Sequence, residues 1–117
     1  MEKTILIDEK YIPFKSTGAT PLRYQAQFQR SFFKDLINIV DGGLKKDAAG
    51  EFAIEVEDIS NINMDTFYNI AWVFAKTADK TIPSPIDWLD TFDEFPIIEI
   101  MPELQDMIMQ TLQSKKK

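Results

Sequence analysis

The 117-residue chain contains neither cysteine nor histidine. Without cysteine there is no disulfide scaffold, no thiolate chemistry and no thiolate metal site, which suits a reducing cytoplasm. Without histidine the usual general base near neutral pH and the commonest metal ligand are missing. Together the two absences remove most catalytic designs and leave carboxylates as the remaining candidates. Long apolar runs are also lacking. No window approaches the ~18 consecutive apolar residues of a membrane span. The segment MEKTILIDEKYIPF has neither the apolar stretch nor the small-residue cleavage site of a signal peptide. Positive charge is scarce: 13 Lys and Arg stand against 19 Asp and Glu, for a net charge of −6. Such a chain repels phosphate backbones and anionic lipid, so no nucleic acid and no membrane are expected as partners.

What is abundant is aromatic area, with nine Phe, two Trp and three Tyr. That is enough for one compact core in a chain near the commonest domain size. The expected class is α+β: a short N-terminal β-hairpin packed on a mainly α-helical body of about four helices. The chain reads as a single domain, with the hairpin at residues 1–15, the helical body at 20–113 and a frayed basic tail at 114–117. No internal repeat or domain boundary is visible.

Thr4 to Asp8 and Tyr11 to Phe14 are β-prone runs joined by polar Asp8-Glu9-Lys10, with Pro13 marking an edge strand. Thr20-Pro21 predicts a helix start, Thr as N-cap and Pro at the first helical position, running to about Val40 before Asp41-Gly42-Gly43. On it Leu22, Ala26, Phe33, Leu36, Ile37 and Val40 share a face, which Tyr24, Phe28, Phe32 and Ile39 widen. Leu44 to Glu51 reads as a polar loop. Phe52 to Val56 is a third strand or the start of a short helix, and Glu57 to Ser60 a turn. Met64 to Ala78 is a helix capped by Asn63, so apolar that it belongs at the centre of the domain. Phe67, Ile70, Ala71, Phe74 and Ala78 form its core face, with Tyr68 and Trp72 as a second ridge. A stiff Thr81–Pro85 connection leads to a helix over Ile86 to Glu94, with Trp88, Leu89, Phe92 and Phe95 on one side and acids on the other. Ile97 to Leu112 resumes helical spacing, and Pro102 either kinks that helix or begins it.

The candidate binding residues are a basic strip, Arg23, Arg30 and Lys34, and the aromatics Tyr68, Trp72, Trp88, Phe92 and Phe95. The strip could dock a partner's acids, be an ordinary solvated face, or pair with the domain's own acidic helix. The aromatics could be core or interface. Their number is high for one small core, so some sharing with another chain is expected. Asp87, Asp90, Asp93 and Glu94 read as a solvated helix face, because hard cations need oxygens converging from a turn. Gly42-Gly43 before Lys45-Lys46 lacks the Gly-Lys-Ser/Thr ending of a phosphate loop. No catalytic residue, metal ligand or cofactor site is assigned.

Four segments in order carry a family resemblance: a β-rich start followed by Leu22-Arg23-Tyr24 through Phe32-Phe33-Lys34-Asp35; the helix Phe67 to Lys76; the proline loop with Trp88-Leu89-Asp90-Thr91-Phe92; and Ile100-Met101-Pro102-Glu103-Leu104. In this order and spacing the chain resembles the tail assembly chaperones of long-tailed bacteriophages of Gram-positive bacteria, counterparts of the lambda-type tail chaperone. The resemblance implies a non-catalytic domain in the cytoplasm of the infected or lysogenic host, absent from the mature virion. It implies binding to the tape measure protein during tail assembly and displacement by tail tube subunits. It also implies a longer form, made by translational frameshifting, that recruits the tail tube protein. Lys115-Lys116-Lys117 can be encoded by a nearly unbroken adenine run on which such a slip occurs. The surplus aromatics add an expectation of homo-oligomers. Two other classes stand beside this reading. A small acidic inhibitor or DNA mimic should carry its acids in phosphate-like rows, whereas here they are scattered among lysines. A carboxylate-only enzyme should show a pocket with a carboxyl group of raised pKa.

Overall fold

Alternating apolar residues and a two-residue turn build the N-terminal hairpin, β1 (Glu2–Ile7) and β2 (Lys10–Lys15). The computed structural model describes residues 2–42, 45–46, 52–53 and 64–115. Asp8 and Glu9 both have positive φ, 51° and 65°. That is the left-handed pair a type I′ turn requires, matched to the twist of the strands. The register pairs Ile7 with Lys10, Ile5 with Ile12 and Thr4 with Pro13. In a two-residue hairpin the pair flanking the turn is hydrogen-bonded, and bonded and non-bonded pairs then alternate. Pro13 therefore occupies a non-bonded position, where its missing N–H costs the ladder nothing. Ile5, Ile7 and Phe14 point inward and are buried, while Leu6 and Tyr11 pair on the exposed outer face.

The helices are α1 (Thr20–Phe28), α2 (Phe32–Gly42), α3 (Met64–Ala78), α4 (Pro85–Leu89) and α5 (Ile97–Lys115). Between α2 and α3 lies a second small antiparallel pair, β3 (Lys45–Lys46) and β4 (Phe52–Ala53). The class is α+β, as expected from the sequence. Part of the expected polar loop at Leu44 to Glu51 is thus strand, and Phe52 takes the strand alternative. The expected turn at Glu57 to Ser60 and the Asn63 cap lie outside the described residues, as do the side chains of Val40 and Leu112.

The single helix expected from Thr20 to Val40 is two. Gln29 adopts left-handed φ 57° and ψ 40°, and its N–H closes α1 on the Gln25 carbonyl at 2.7 Å. Ser31 then opens α2, its Oγ accepting from the Lys34 N–H at 3.3 Å. The break resets the helical phase, and the expected face is corrected with it. Leu22 and Ala26 are exposed and Ile37 is about half exposed, whereas Tyr24, Phe32, Leu36 and Ile39 fill the core. The start differs too. The cap of α1 is Ala19, with no side-chain bond. The Thr20 hydroxyl accepts instead from the Thr17 N–H and meets the Thr77 hydroxyl at 3.2 Å.

Helix α3 is the central element, in contact with β2, α1, α2 and α4. Phe67, Ile70, Ala71, Val73, Phe74 and Ala75 are all buried. The helix expected over Ile86 to Glu94 is shorter, ending at Leu89 and continuing as a turn. Ser84 is its N-cap residue, with Pro85 at the first position as expected, and the Ser84 hydroxyl donates to Asp87 Oδ2 at 3.2 Å. Pro96 immediately precedes α5, which carries Pro102 inside it and buries Ile100, Met101, Leu104, Met107 and Ile108. The helix continues through Ser114 and Lys115, the first half of the expected frayed tail. No described helix is long and apolar enough to cross a membrane.

Candidate interaction surface

Helix α1 lies on α3 through large side chains at its far end and small ones nearer its start. Tyr24 and Phe28 wedge between α2 and α3: Phe28 meets Trp72 edge-on at 5.6 Å, and Tyr24 meets Phe32 at 5.3 Å. Along the other side, the residues spaced three and four apart from Ala19 to Gln27 border an open groove of about 420 Å³. Ala19, Leu22, Arg23, Ala26 and Gln27 of the α1 segment line one wall, and Trp72 and Lys76, one turn apart on α3, line the other. Leu22 is 73 % exposed here. A side chain of that size left in water forgoes roughly 1.5–3 kcal/mol of burial, so the rim carries unused apolar affinity.

The two cations on this groove are held in place. Lys76 Nζ donates to the carbonyls of Lys80 (2.9 Å) and Ile82 (2.6 Å), and Arg23 Nη1 donates to Thr77 Oγ1 at 3.3 Å. Trp72 Nε1 donates to the Pro83 carbonyl at 2.9 Å, tying the same wall to the loop before α4. No carboxylate is among the described residues that line this groove. Apolar surface beside fixed positive charge suits an apolar polypeptide segment that also carries acidic groups.

Of the eight sequence-derived site residues, Arg23 and Trp72 border this groove and the other six lie elsewhere. Trp72, Trp88 and Phe92 are buried, at 3 %, 3 % and 7 % exposure, the core alternative of the sequence reading. Trp88 sits edge-on to Phe14 (6.5 Å), Phe92 (5.3 Å) and Phe95 (5.7 Å). Tyr68 and Phe95 are partly buried and pack on each other at 5.7 Å. The turn after α4 is stitched to the hairpin: Lys10 Nζ donates to the Thr91 carbonyl at 2.7 Å and lies over the Phe92 ring, and Asp8 Oδ2 accepts from the Asp93 N–H at 2.9 Å. The aromatics thus serve as mortar between the hairpin, α3 and α4.

The basic strip does not hold together either. Arg30 is committed to Asp35, with Nε and Nη2 donating to its two oxygens at 2.8 and 2.9 Å. Tyr24 donates its hydroxyl to the same carboxylate at 2.6 Å. Asp35 is 1 % exposed, on the first turn of α2. Burial acts to raise its pKa, but the hydrogen bonds from Arg30 and Tyr24 and the Arg30 charge outweigh it and hold the carboxyl below its ordinary value. Burial, then the bond and charge of Asp35, push the Tyr24 phenol above its usual range. Lys34 is exposed. Sequence reasoning missed this internal triad, although Ser31 before Phe32-Phe33 is a legible helix-start signal that would have brought Arg30 back toward Asp35.

Asp87, Asp90, Asp93 and Glu94 are all exposed, and no group of three acidic residues among the described residues is arranged to hold a metal ion. Comparison with family models, with curated proteins and with solved structures returns no match.

Proposed function

We propose that this chain is a non-catalytic tail assembly chaperone, acting in the cytoplasm of the bacterial host on a tape measure protein and absent from the finished virion. The observation that carries the reading is the α1/α3 groove, where Leu22, Ala19 and Ala26 stand open to solvent beside Arg23 and Lys76 in a chain of net charge −6. A chaperone of an extended, aggregation-prone client needs apolar affinity of limited extent, so that tube subunits can displace it. It also needs net charge to stay soluble. The motif order from the β-rich start to Ile100–Leu104 supports the same reading. The longer frameshifted form would bring the tail tube protein, and homo-oligomers would line several copies along the client.

Co-expression tests this function. The tape measure protein encoded beside this chain should shift from the pellet to the soluble fraction when the two are made together. Leu22→Asp and Ala26→Asp should lose that effect while keeping the native circular dichroism spectrum. A client equally insoluble with and without the chain sinks the function. Folded groove variants that still solubilise it sink the site while leaving the function standing. Trp88 and Phe92 are unsuitable for this test, because burial makes their loss a folding defect.

A further inference from the structure

The edge of β1, unpaired among the described residues, borders a second groove of about 300 Å³, lined by Thr4, Ile5 and Leu6 and by Pro96, Glu99, Ile100 and Glu103 of α5 and its approach. We propose that this edge is a docking site for an extended polypeptide segment bearing basic side chains at alternate positions, which adds to β1 as a third strand.

Three observations converge on that occupant. The first is backbone geometry. Because Ile7–Lys10 and Ile5–Ile12 are the bonded pairs, Thr4 and Leu6 direct their N–H and C=O groups away from β2, toward the free edge. No backbone hydrogen bond of the described residues outside the hairpin uses them. The opposite edge is blunted by Pro13, which has no N–H to offer; the β1 edge has no such block. The second is exposure. Thr4 is exposed and Leu6 is 57 % exposed, so β1 is open to solvent at the two residues that carry the free backbone groups.

The third is charge spacing. Glu99 and Glu103 are four apart on α5, about 6 Å along a helix axis. Side chains on one face of an extended strand repeat every two residues, about 6.7 Å. Two lysines at i and i+2 of a docked strand therefore match the two carboxylates. Lys3 already shows the pairing this wall favours, its Nζ lying 3.4 Å from Glu103 Oε2. Glu99 has no ion pair among the described residues. Strand addition supplies main-chain hydrogen bonds, and the carboxylates select the side chains. This site is separate from the α1/α3 groove and does not rest on it.

The test uses the full chain and a fluorescein-labelled peptide of alternating lysine and valine, read by fluorescence anisotropy. Binding should weaken at least tenfold when the peptide is N-methylated on the alternate residues that face β1. It should survive methylation of the other set and vanish when glutamate replaces lysine. Glu99→Gln, an exposed position with no fold role, should weaken binding at least threefold. Thr4→Pro should abolish it, with the melting curve confirming a folded hairpin. No binding, equal binding of both methylated peptides, or binding indifferent to Glu99→Gln overturns the proposal. Dimerisation of the chain through β1 that excludes the peptide overturns it too, in favour of a second copy as the occupant.

Discussion

Helices α1 and α3 lie against each other and both carry apolar side chains on more than one side, yet the fold uses them differently. In α3 nearly all of them are buried, because β2, α1, α2 and α4 surround it. In α1 the aromatics Tyr24 and Phe28 turn inward, while Leu22 and Ala26 remain in water beside the groove. Apolar periodicity says that a face wants a partner. Only the number of neighbouring elements says whether it gets one. The difference turns on three residues: the break at Gln29–Ser31 stops α1 after nine residues and lets α2, rather than the outer side of α1, meet α5.

The largest effect should come from the centre of α3. Phe74→Ala should cost about 3–5 kcal/mol, since it empties a fully enclosed site. An unfolding free energy, measured in urea, lowered by less than a third of that would mean α3 is not the enclosed element described. Next is the triad that anchors α2 to α1. Asp35→Ala should cost about 2–3 kcal/mol, because a buried Tyr24 hydroxyl loses its acceptor.

The same triad sets a pH dependence. Asp35 has a depressed folded pKa, so its stabilisation is present above the ordinary value of 3.8 and is lost as pH falls through the folded value. Tyr24 has a raised folded pKa, so its contribution is full below 10.0 and is lost as pH rises beyond it. Wild type should therefore destabilise at both extremes, and Asp35→Asn should flatten the acid limb. An unchanged acid limb in that variant would place the sensitivity elsewhere.

Smaller effects separate the two helices more finely. Gln29→Gly should stabilise by about 1 kcal/mol, because glycine takes the left-handed cap without strain. A destabilised variant would show that α1 and α2 are not broken at that point. Smallest is Leu22→Ser, within about 0.5 kcal/mol in denaturant, as for an exposed position away from special features. A cost of 2 kcal/mol there would return Leu22 to the core and remove the groove.

Much of the architecture was legible. The limits of α3 were readable because apolar residues recur at helical spacing from Met64 to Ala78. Ser84-Pro85 announced α4 because proline at a first helical position fixes φ and forfeits an N–H that has no partner there. The Gln29 break was not legible, since glutamine is a sound helix former and its left-handed conformation is imposed by Tyr24, Phe28 and Phe32 converging on α3. The candidate site was the least legible part. Trp88 and Phe92 have the apolar area that an interface would use, and side chains of that size are what the core takes first. Leu22 and Ala26, assigned to the core by phase, face the groove because the phase was reset seven residues after Leu22.

By itself the sequence determined the class, the central helix, the hairpin and the absence of thiol and imidazole chemistry, all of which depend on local periodicity or on composition. Tertiary structure alone decided which aromatics are enclosed, that Arg30 is claimed by Asp35, and that Leu22 stays in water. Those outcomes depend on contacts between residues far apart in the chain, and no local pattern encodes how many neighbours a face will find.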